Sequence, residues 1–345
     1  MTHFHNTLYL SQPRTVLGCR GRALVVRQNS REKASVPVHH LAMVTCLGPV
    51  YITPAAIDLC LTQGVGINYL TPYGRFLGRI TGPVRGNVLL RRAQFRLVEA
   101  GRPGLVANLL GGKIHNSRRL LMRAARNYPE TAPLLDPAIR RLGQLQSGLG
   151  GPGDQDHGNG ADIDRLRGIE GVAAHIFFGA YPHLIRSPEF HFNGRNRRPP
   201  RDPVNAMLSF GYTLLAGECR HALEAVGLDP YMGFLHVLRP GRAALALDLM
   251  EEFRAVKVDK MVLALINRRQ CSPSDFLIHP NGAVEMKESF RKTFLTTWQE
   301  RRSRSLDHPL LKQKTDGATV VHLQAQILAR YIRGDLDFYT PFLAT

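Results

Sequence analysis

The feature that most constrains this chain is a helix that carries three carboxylates in an otherwise apolar run. From about Ala243 the segment AALALDLMEE presents Leu245, Leu249 and later Phe253 on one face, with Asp248, Glu251 and Glu252 at i, i+3 and i+4. That spacing puts Asp248 on a face shared with either glutamate. Like charges so placed repel, and a cation between them is the natural compensation. Glu252 has a plainer reading as well, pairing at the surface with Lys257 or Arg254. Any fold of this chain must bring positive charge to that helix.

Positive charge is abundant. The 345 residues hold 45 lysines and arginines against 27 acidic residues, a formal +18. A polyanionic partner is the simplest physical reason for such a balance. With 44% hydrophobic and 21% charged residues the chain is globular, long enough for a large core in one or two domains. Five cysteines sit far apart with no CxxC pair, which reads as reduced, cytosolic usage and argues against a structural zinc finger. No window approaches eighteen uninterrupted apolar residues, and MTHFHNTLYL lacks the pattern of a signal peptide, so no membrane partner is expected.

The pattern divides the chain. Residues 7–10, 23–26, 34–38, 43–47, 67–70 and 75–80 are β-favouring segments near turn residues, and Thr53-Pro54 starts a short helix that stops at Gly64. A mostly antiparallel sheet with one small helix is expected there. The character changes after Gly82-Pro83. Between Arg85 and Arg126 there are ten basic residues and one acidic one, Glu99. Residues 88–99 and 105–127 read as helices, and Arg119, Arg123 and Arg126 fall on one helical face. Without glutamates as counterweights, that face suits a phosphate backbone. The fold expected is α+β: a strand-rich N-terminal domain over 1–84, then a larger, all-α C-terminal domain over 85–345.

Further along, the glycine-rich loop 146–160 lacks the GxxxxGK(S/T) pattern of a nucleotide cradle. Helical character resumes at Ala161, with Ile163, Leu166, Ile169 and Ala173 on an apolar face and Glu170 at its edge. Arg195, Arg197, Arg198 and Arg201 form a second basic cluster, kept out of a regular helix by Pro199, Pro200 and Pro203. Asp202-Pro203 then opens a core helix that Gly227 ends. His236 follows in an apolar context. A carboxylate, histidine and carboxylate set suits Mg2+ or Mn2+, the imidazole leaning the preference toward Mn2+. Such an ion beside a basic groove polarises a phosphodiester and activates the attacking oxygen. After Arg269, DFLIHPNGAVEM reads as a hairpin-like piece, followed by a basic helix whose Arg301, Arg302 and Arg304 face DNA or solvent, and a last helix with an aromatic tail.

Two long runs carry a resemblance, FNGRNRRPPRDPVNAMLSFGYTLL and GLDPYMGFLHVLRPGRAALALDLMEEFR. They resemble the CRISPR-associated integrase, the endonuclease of spacer acquisition, in the form found with type I systems, subtype I-C included. The likeness extends over nearly the whole chain. It implies three ligands for one divalent ion: Glu170 in GIEG, His236 in GFLH and Glu251 in DLMEEFR, with Asp248 as the alternative acidic residue. Direct coordination requires their ligand atoms within about 4–5 Å of one another. The resemblance also implies a homodimer formed through the N-terminal domain, and a heterohexamer in which two such dimers clasp a dimer of the small second CRISPR adaptation protein. The implied reaction joins the 3′-OH ends of protospacer DNA to the repeat boundaries of the array, in the cytoplasm of a prokaryotic cell. Arg119, Arg123, Arg198, Arg242 and Lys257 are the candidate DNA contacts. The competing reading is a non-catalytic DNA-binding scaffold in which Glu170, His236 and Glu251 only stabilise a helical core.

Overall fold

The computed structural model describes residues 6–82, 87–149, 160–308 and 312–344. Arg85 and most of the glycine-rich loop, residues 150–159, lie outside the described residues. The chain divides into two compact units, one of Met1–Arg85 with Arg291–Thr296, the other of Gly86–Phe290 with Thr297–Thr345.

The described residues of the first unit include eight strands and one whole α-helix, besides the Arg291–Thr296 stretch of a later helix: β1 (Asn6–Leu10), β2 (Thr15–Arg20), β3 (Ala23–Gln28), β4 (Arg31–Pro37), β5 (Leu41–Leu47), β6 (Val50–Ile52), α1 (Pro54–Thr62), β7 (Gly66–Leu70) and β8 (Phe76–Ile80). They form two four-stranded sheets, ordered β4-β3-β2-β6 and β1-β5-β7-β8. The expected mostly antiparallel sheet is corrected here. β1 with β5, β5 with β7, and β2 with β6 are parallel pairs. Parallel neighbours require crossover connections of a dozen or more residues. The β2–β4 meander supplies one between β1 and β5, and β6 with α1 supplies the other between β5 and β7. Leu17, Leu24, Val44, Cys46 and Ile67 are fully buried in the core between these elements. The Thr53 hydroxyl accepts from the backbone N–H of Ala56 at 3.3 Å and Pro54 occupies the first turn, so α1 begins where its sequence signals a start.

The second unit is mainly helical: α2 (Val88–Ala100), α3 (Pro103–Asn127), α4 (Ala132–Ser147), α5 (Gly160–Ala180), α6 (Pro203–Ala225), α7 (Ala244–Met250) and α8 (Lys260–Asn267), then α9 (Glu288–Arg302) and α10 (Thr319–Arg333). Two antiparallel ribbons qualify the all-α expectation. β9 (Phe276–Ile278) pairs with β10 (Val284–Met286), in the hairpin-like piece. β11 (Ser305–His308) pairs with β12 (Gln313–Asp316), a ribbon the sequence pattern does not announce. Helix α4 is equally unannounced, because prolines at 129, 133 and 137 punctuate its sequence; Pro137 lies inside it.

α3 packs against α4, α5 and a π-helical segment, Arg254–Asp259, that lies between α7 and α8. The carboxylate-bearing helix is thus interrupted. After Met250 the chain turns through residues 251–253, widens into the π-helical segment and resumes as α8. Such widened turns are frequent at functional sites, since they redirect side chains that a regular helix would align.

Candidate active site

The site is assembled on Asp248. This carboxylate is fully buried, and its oxygens accept the backbone N–H groups of Phe234 (2.6 Å), Leu235 (3.1 Å) and His236 (3.0 Å). Oδ1 also meets Nδ1 of His236 at 2.7 Å. Asp248 is therefore spent on the loop that delivers the histidine. Because the carboxylate acts as acceptor throughout, Nδ1 of His236 carries a proton, and Nε2 is left on the side of Glu251. Gly233 makes the close approach workable. A Cβ there would lie 2.6 Å from the carbonyl carbon of Ala244 and 2.7 Å from Asp248 Oδ2, so the loop reaches α7 only with glycine at this position.

Glu251, in the turn after α7, is 1% exposed. Its Oε1 lies 3.8 Å from His236 Nε2 and 2.9 Å from an Arg254 terminal nitrogen, while Oε2 lies 2.9 Å from Lys113 Nζ. The Lys113 ammonium, from α3, also contacts Glu170 of α5. Burial alone would raise the Glu251 carboxyl. Arg254, Lys113 and His236 outweigh it and hold the group down to about 2. Glu170, His236 and Glu251, 66 and 15 residues apart in sequence, thus join one cluster of charged side chains linked through Lys113 and Glu251. His236 and Glu251 are within mutual ligand reach, and Glu170 joins through the single ammonium that touches both carboxylates. Among the described residues, no group of three or more His, Cys, Asp or Glu stands arranged to hold a metal ion as it is.

Glu252, the next residue, is treated differently. It is fully buried and pairs with neither Lys257 nor Arg254, which corrects the surface-pairing expectation. Its oxygens accept from the Tyr339 hydroxyl, from Gln324 Nε2 at 3.0 Å and from the Phe342 backbone N–H at 2.6 Å. Burial pushes this carboxyl up to about 7 against those three donors. Behind it, the Asn116 side-chain amide donates to the carbonyls of Glu252 (2.7 Å) and Phe342 (2.8 Å), tying α3 to the C-terminal segment.

The candidate DNA contacts fare unequally. Arg119, Arg123 and Arg126 are exposed and line one cleft together with Lys260. Arg197 and Arg198 are exposed, Arg242 is partly exposed, and Arg239, Arg197 and Arg198 lie near enough to push the Arg242 guanidinium down, behind the larger effect of its burial. Arg242 also feels the Asp248 carboxylate, which pushes the other way. Lys257 is different. Its ammonium pairs with Glu218 Oε2 (2.6 Å) and the Gly317 carbonyl (2.7 Å), so its charge is already compensated within the protein. Arg302 is buried, paired with the same glutamate, which corrects the reading that it faces DNA or solvent.

Lys113 is the site residue the sequence pattern concealed, one of the ten basic residues between Arg85 and Arg126. The available signal was its place on the buried stripe of α3, beside Leu109, Leu110 and Ile114. A lone charge on an apolar face of one helix and a lone carboxylate on another are complementary anomalies.

The family model described as CRISPR associated protein Cas1 matches residues 8–300. The CRISPR-associated endonuclease Cas1 2 of Rhodospirillum rubrum is 45% identical over 344 residues, covering 98% of each chain. In fold, the chain resembles a component of a Cas6-RT-Cas1–Cas2 complex with a TM-score of 0.81, at 22% identity over 99% of this chain and 36% of that one. It also resembles a casposase bound to integration product, with a TM-score of 0.79 and 22% identity over 96% of this chain and 91% of that one. The span matched by the family model contains Glu170, His236 and Glu251, and with near-full-length identity to a curated relative the chain belongs to the CRISPR associated protein Cas1 family.

Proposed function

We propose that this chain is a metal-dependent DNA endonuclease and integrase of CRISPR spacer acquisition, with Glu170, His236 and Glu251 as ligands of one divalent ion. The observation that carries the reading is the buried Glu251, kept ionised and aimed with His236 Nε2 into a pocket that Glu170 shares. The donor set fits Mg2+ or Mn2+: two hard carboxylates and one imidazole whose other nitrogen is anchored on a carboxylate, as is common for metal-binding histidines. A stand-in cation, the Lys113 ammonium, already lies between the two carboxylates. When bound, the ion would polarise the phosphodiester and activate the attacking oxygen, water for cleavage or a DNA 3′-OH for joining.

The protein's own residues supply the rest. Asp248 is assigned as the group that orients His236 and not as a ligand, since its oxygens are occupied by three backbone N–H groups and Nδ1. Arg198 and Arg242, from the second basic cluster, are assigned to hold backbone phosphates and to offset charge that develops at the reacting phosphorus. The cleft of Arg119, Arg123 and Arg126 offers a further phosphate-binding surface. The partners that fit this reading are protospacer and repeat DNA and the small second adaptation protein, Cas2, in a heterohexamer of two homodimers with one Cas2 dimer; residues 1–84 would form the homodimer contact. No described helix is long and apolar enough to cross a membrane.

The test is strand transfer of a branched DNA substrate by the purified chain with Mn2+. His236→Ala is expected to lose strand transfer while folding and DNA binding persist. Unaltered activity would show that the pocket is only a packed ionic core, as in the scaffold reading.

A further inference from the structure

The pocket carries its own cation. Lys113 is 8% exposed, and its Nζ contacts Glu170 and, at 2.9 Å, Glu251 Oε2. An ammonium is a compact point charge on a flexible four-carbon stem, with three donors and no acceptor. It stands where two carboxylate ligands converge, and a divalent ion cannot share that place with it, because like charges a few ångströms apart in a buried site repel strongly. Arg254 is not in the same position. Its guanidinium approaches the other oxygen of Glu251 and lies over the Tyr212 ring, 5.1 Å from the centroid.

A displaced ammonium needs somewhere to go. Lys113 also lines a cavity whose walls include Ser117, Phe178, Tyr212 and Asp259. Asp259 is 2% exposed, on the π-helical segment, and Tyr212 donates to its Oδ1. Burial pushes its carboxyl up to about 7 even though Tyr212, Arg254, Arg195 and Lys113 all favour the charged form. This is a carboxylate that a nearer cation would stabilise, and it lines the same cavity as the lysine.

We propose that Lys113 is a positioning residue with two stations: it bridges Glu170 and Glu251 until a divalent ion arrives, and then crosses the cavity to Asp259. The proposal rests on the ion-binding reading above. It accounts for a pocket that keeps its buried carboxylates compensated before an ion is taken up. It also implies that the ion is admitted against a competitor, so the apparent affinity is weaker than the ligand set alone would give.

The experiment is calorimetric titration of Mn2+ into the full-length chain without DNA. Lys113→Met and Lys113→Gln are expected to bind Mn2+ about tenfold more tightly, within the ~5–150-fold span typical of coupling between two ligands. Asp259→Asn is expected to bind more weakly than the unaltered chain, since the second station loses its charge. Unchanged or weaker binding in both lysine variants overturns the competition, and unchanged binding in Asp259→Asn overturns the second station. Should neither lysine variant fold, a structure of the Mn2+-loaded chain decides. Lys113 Nζ beside Asp259 supports the proposal, and Nζ still between the two carboxylates overturns it. If neither the unaltered chain nor the lysine variants take up Mn2+, the ion-binding reading itself fails, an outcome distinct from a lysine that does not compete.

Discussion

Two neighbouring carboxylates, Glu251 and Glu252, lie in regions of opposite character. Both are buried, at 1% and 0% exposure, and both sit in the turn between α7 and the π-helical segment. Glu251 faces an ammonium, a guanidinium and an imidazole, and is held down to about 2. Glu252 faces a phenol, a carboxamide and one backbone N–H, and rises to about 7. Desolvation is the largest influence on each, so burial does not distinguish them. The difference lies in whether the groups that replace water carry a full charge. One side of this short turn is built to keep a charge, and the other to keep a hydrogen-bonded anchor for the C-terminal segment.

The strongest way to break the comparison is to withdraw a cation from Glu251. Arg254→Met is expected to cost about 3 kcal/mol, the low end of the ~3–5 kcal/mol found when one partner of a buried pair is removed, because Lys113 remains. Urea unfolding of the variant against the unaltered chain measures it, and a cost near zero would mean that Lys113 compensates Glu251 alone. On the Glu252 side, Tyr339→Phe removes a donor to a buried carboxylate. A smaller loss of about 2 kcal/mol is expected, within the ~1.5–3 kcal/mol typical of hydrogen bonds to charged groups. The same unfolding experiment reads it.

The finest test uses pH. The folded Glu252 is raised from 4.5 to about 7, so between those values the native state binds more protons than the unfolded one, and stability falls as pH rises. Glu251, lowered from 4.5 to about 2, acts with the opposite sign: its stabilisation is present above about 4.5 and is lost as pH falls toward 2. Glu252→Gln is therefore expected to flatten the decline between pH 4.5 and about 7 and leave the acid limb unchanged. Unfolding free energies measured across pH 3–8 would show it, and an unaltered slope would place the proton elsewhere, with Asp259, also raised to about 7, the first alternative.

Much of this was legible from residues alone. The Thr53 and Asp202 caps, each followed by proline, mark the starts of α1 and α6 because a cap needs only local chemistry. The exposed stripe of Arg119, Arg123 and Arg126 follows from helical period and the absence of acidic neighbours. What local pattern could not convey was anything set by a distant partner. The parallel pairing of β5 with β1 and β7 is decided by crossovers, and α4 hides behind its prolines. Lys257, a candidate DNA contact on its sequence, pairs with Glu218, 39 residues earlier.

The sequence by itself determined the division into a strand-rich and a helical part, the family, and the candidate residues Glu170, His236, Asp248 and Glu251. The division follows from composition and periodicity, and the family and the ligand candidates follow from the resemblance that the long motifs carry. Only the tertiary structure decided what each carboxylate does. Asp248 is consumed by a loop that Gly233 lets pass, Glu251 meets the cations of α3 and the π-helical segment, and Glu252 is claimed by Tyr339 and Phe342. A buried carboxylate takes its charge state from the groups that replace water around it, and here those groups come from parts of the chain as much as 138 residues away, the separation of Lys113 from Glu251.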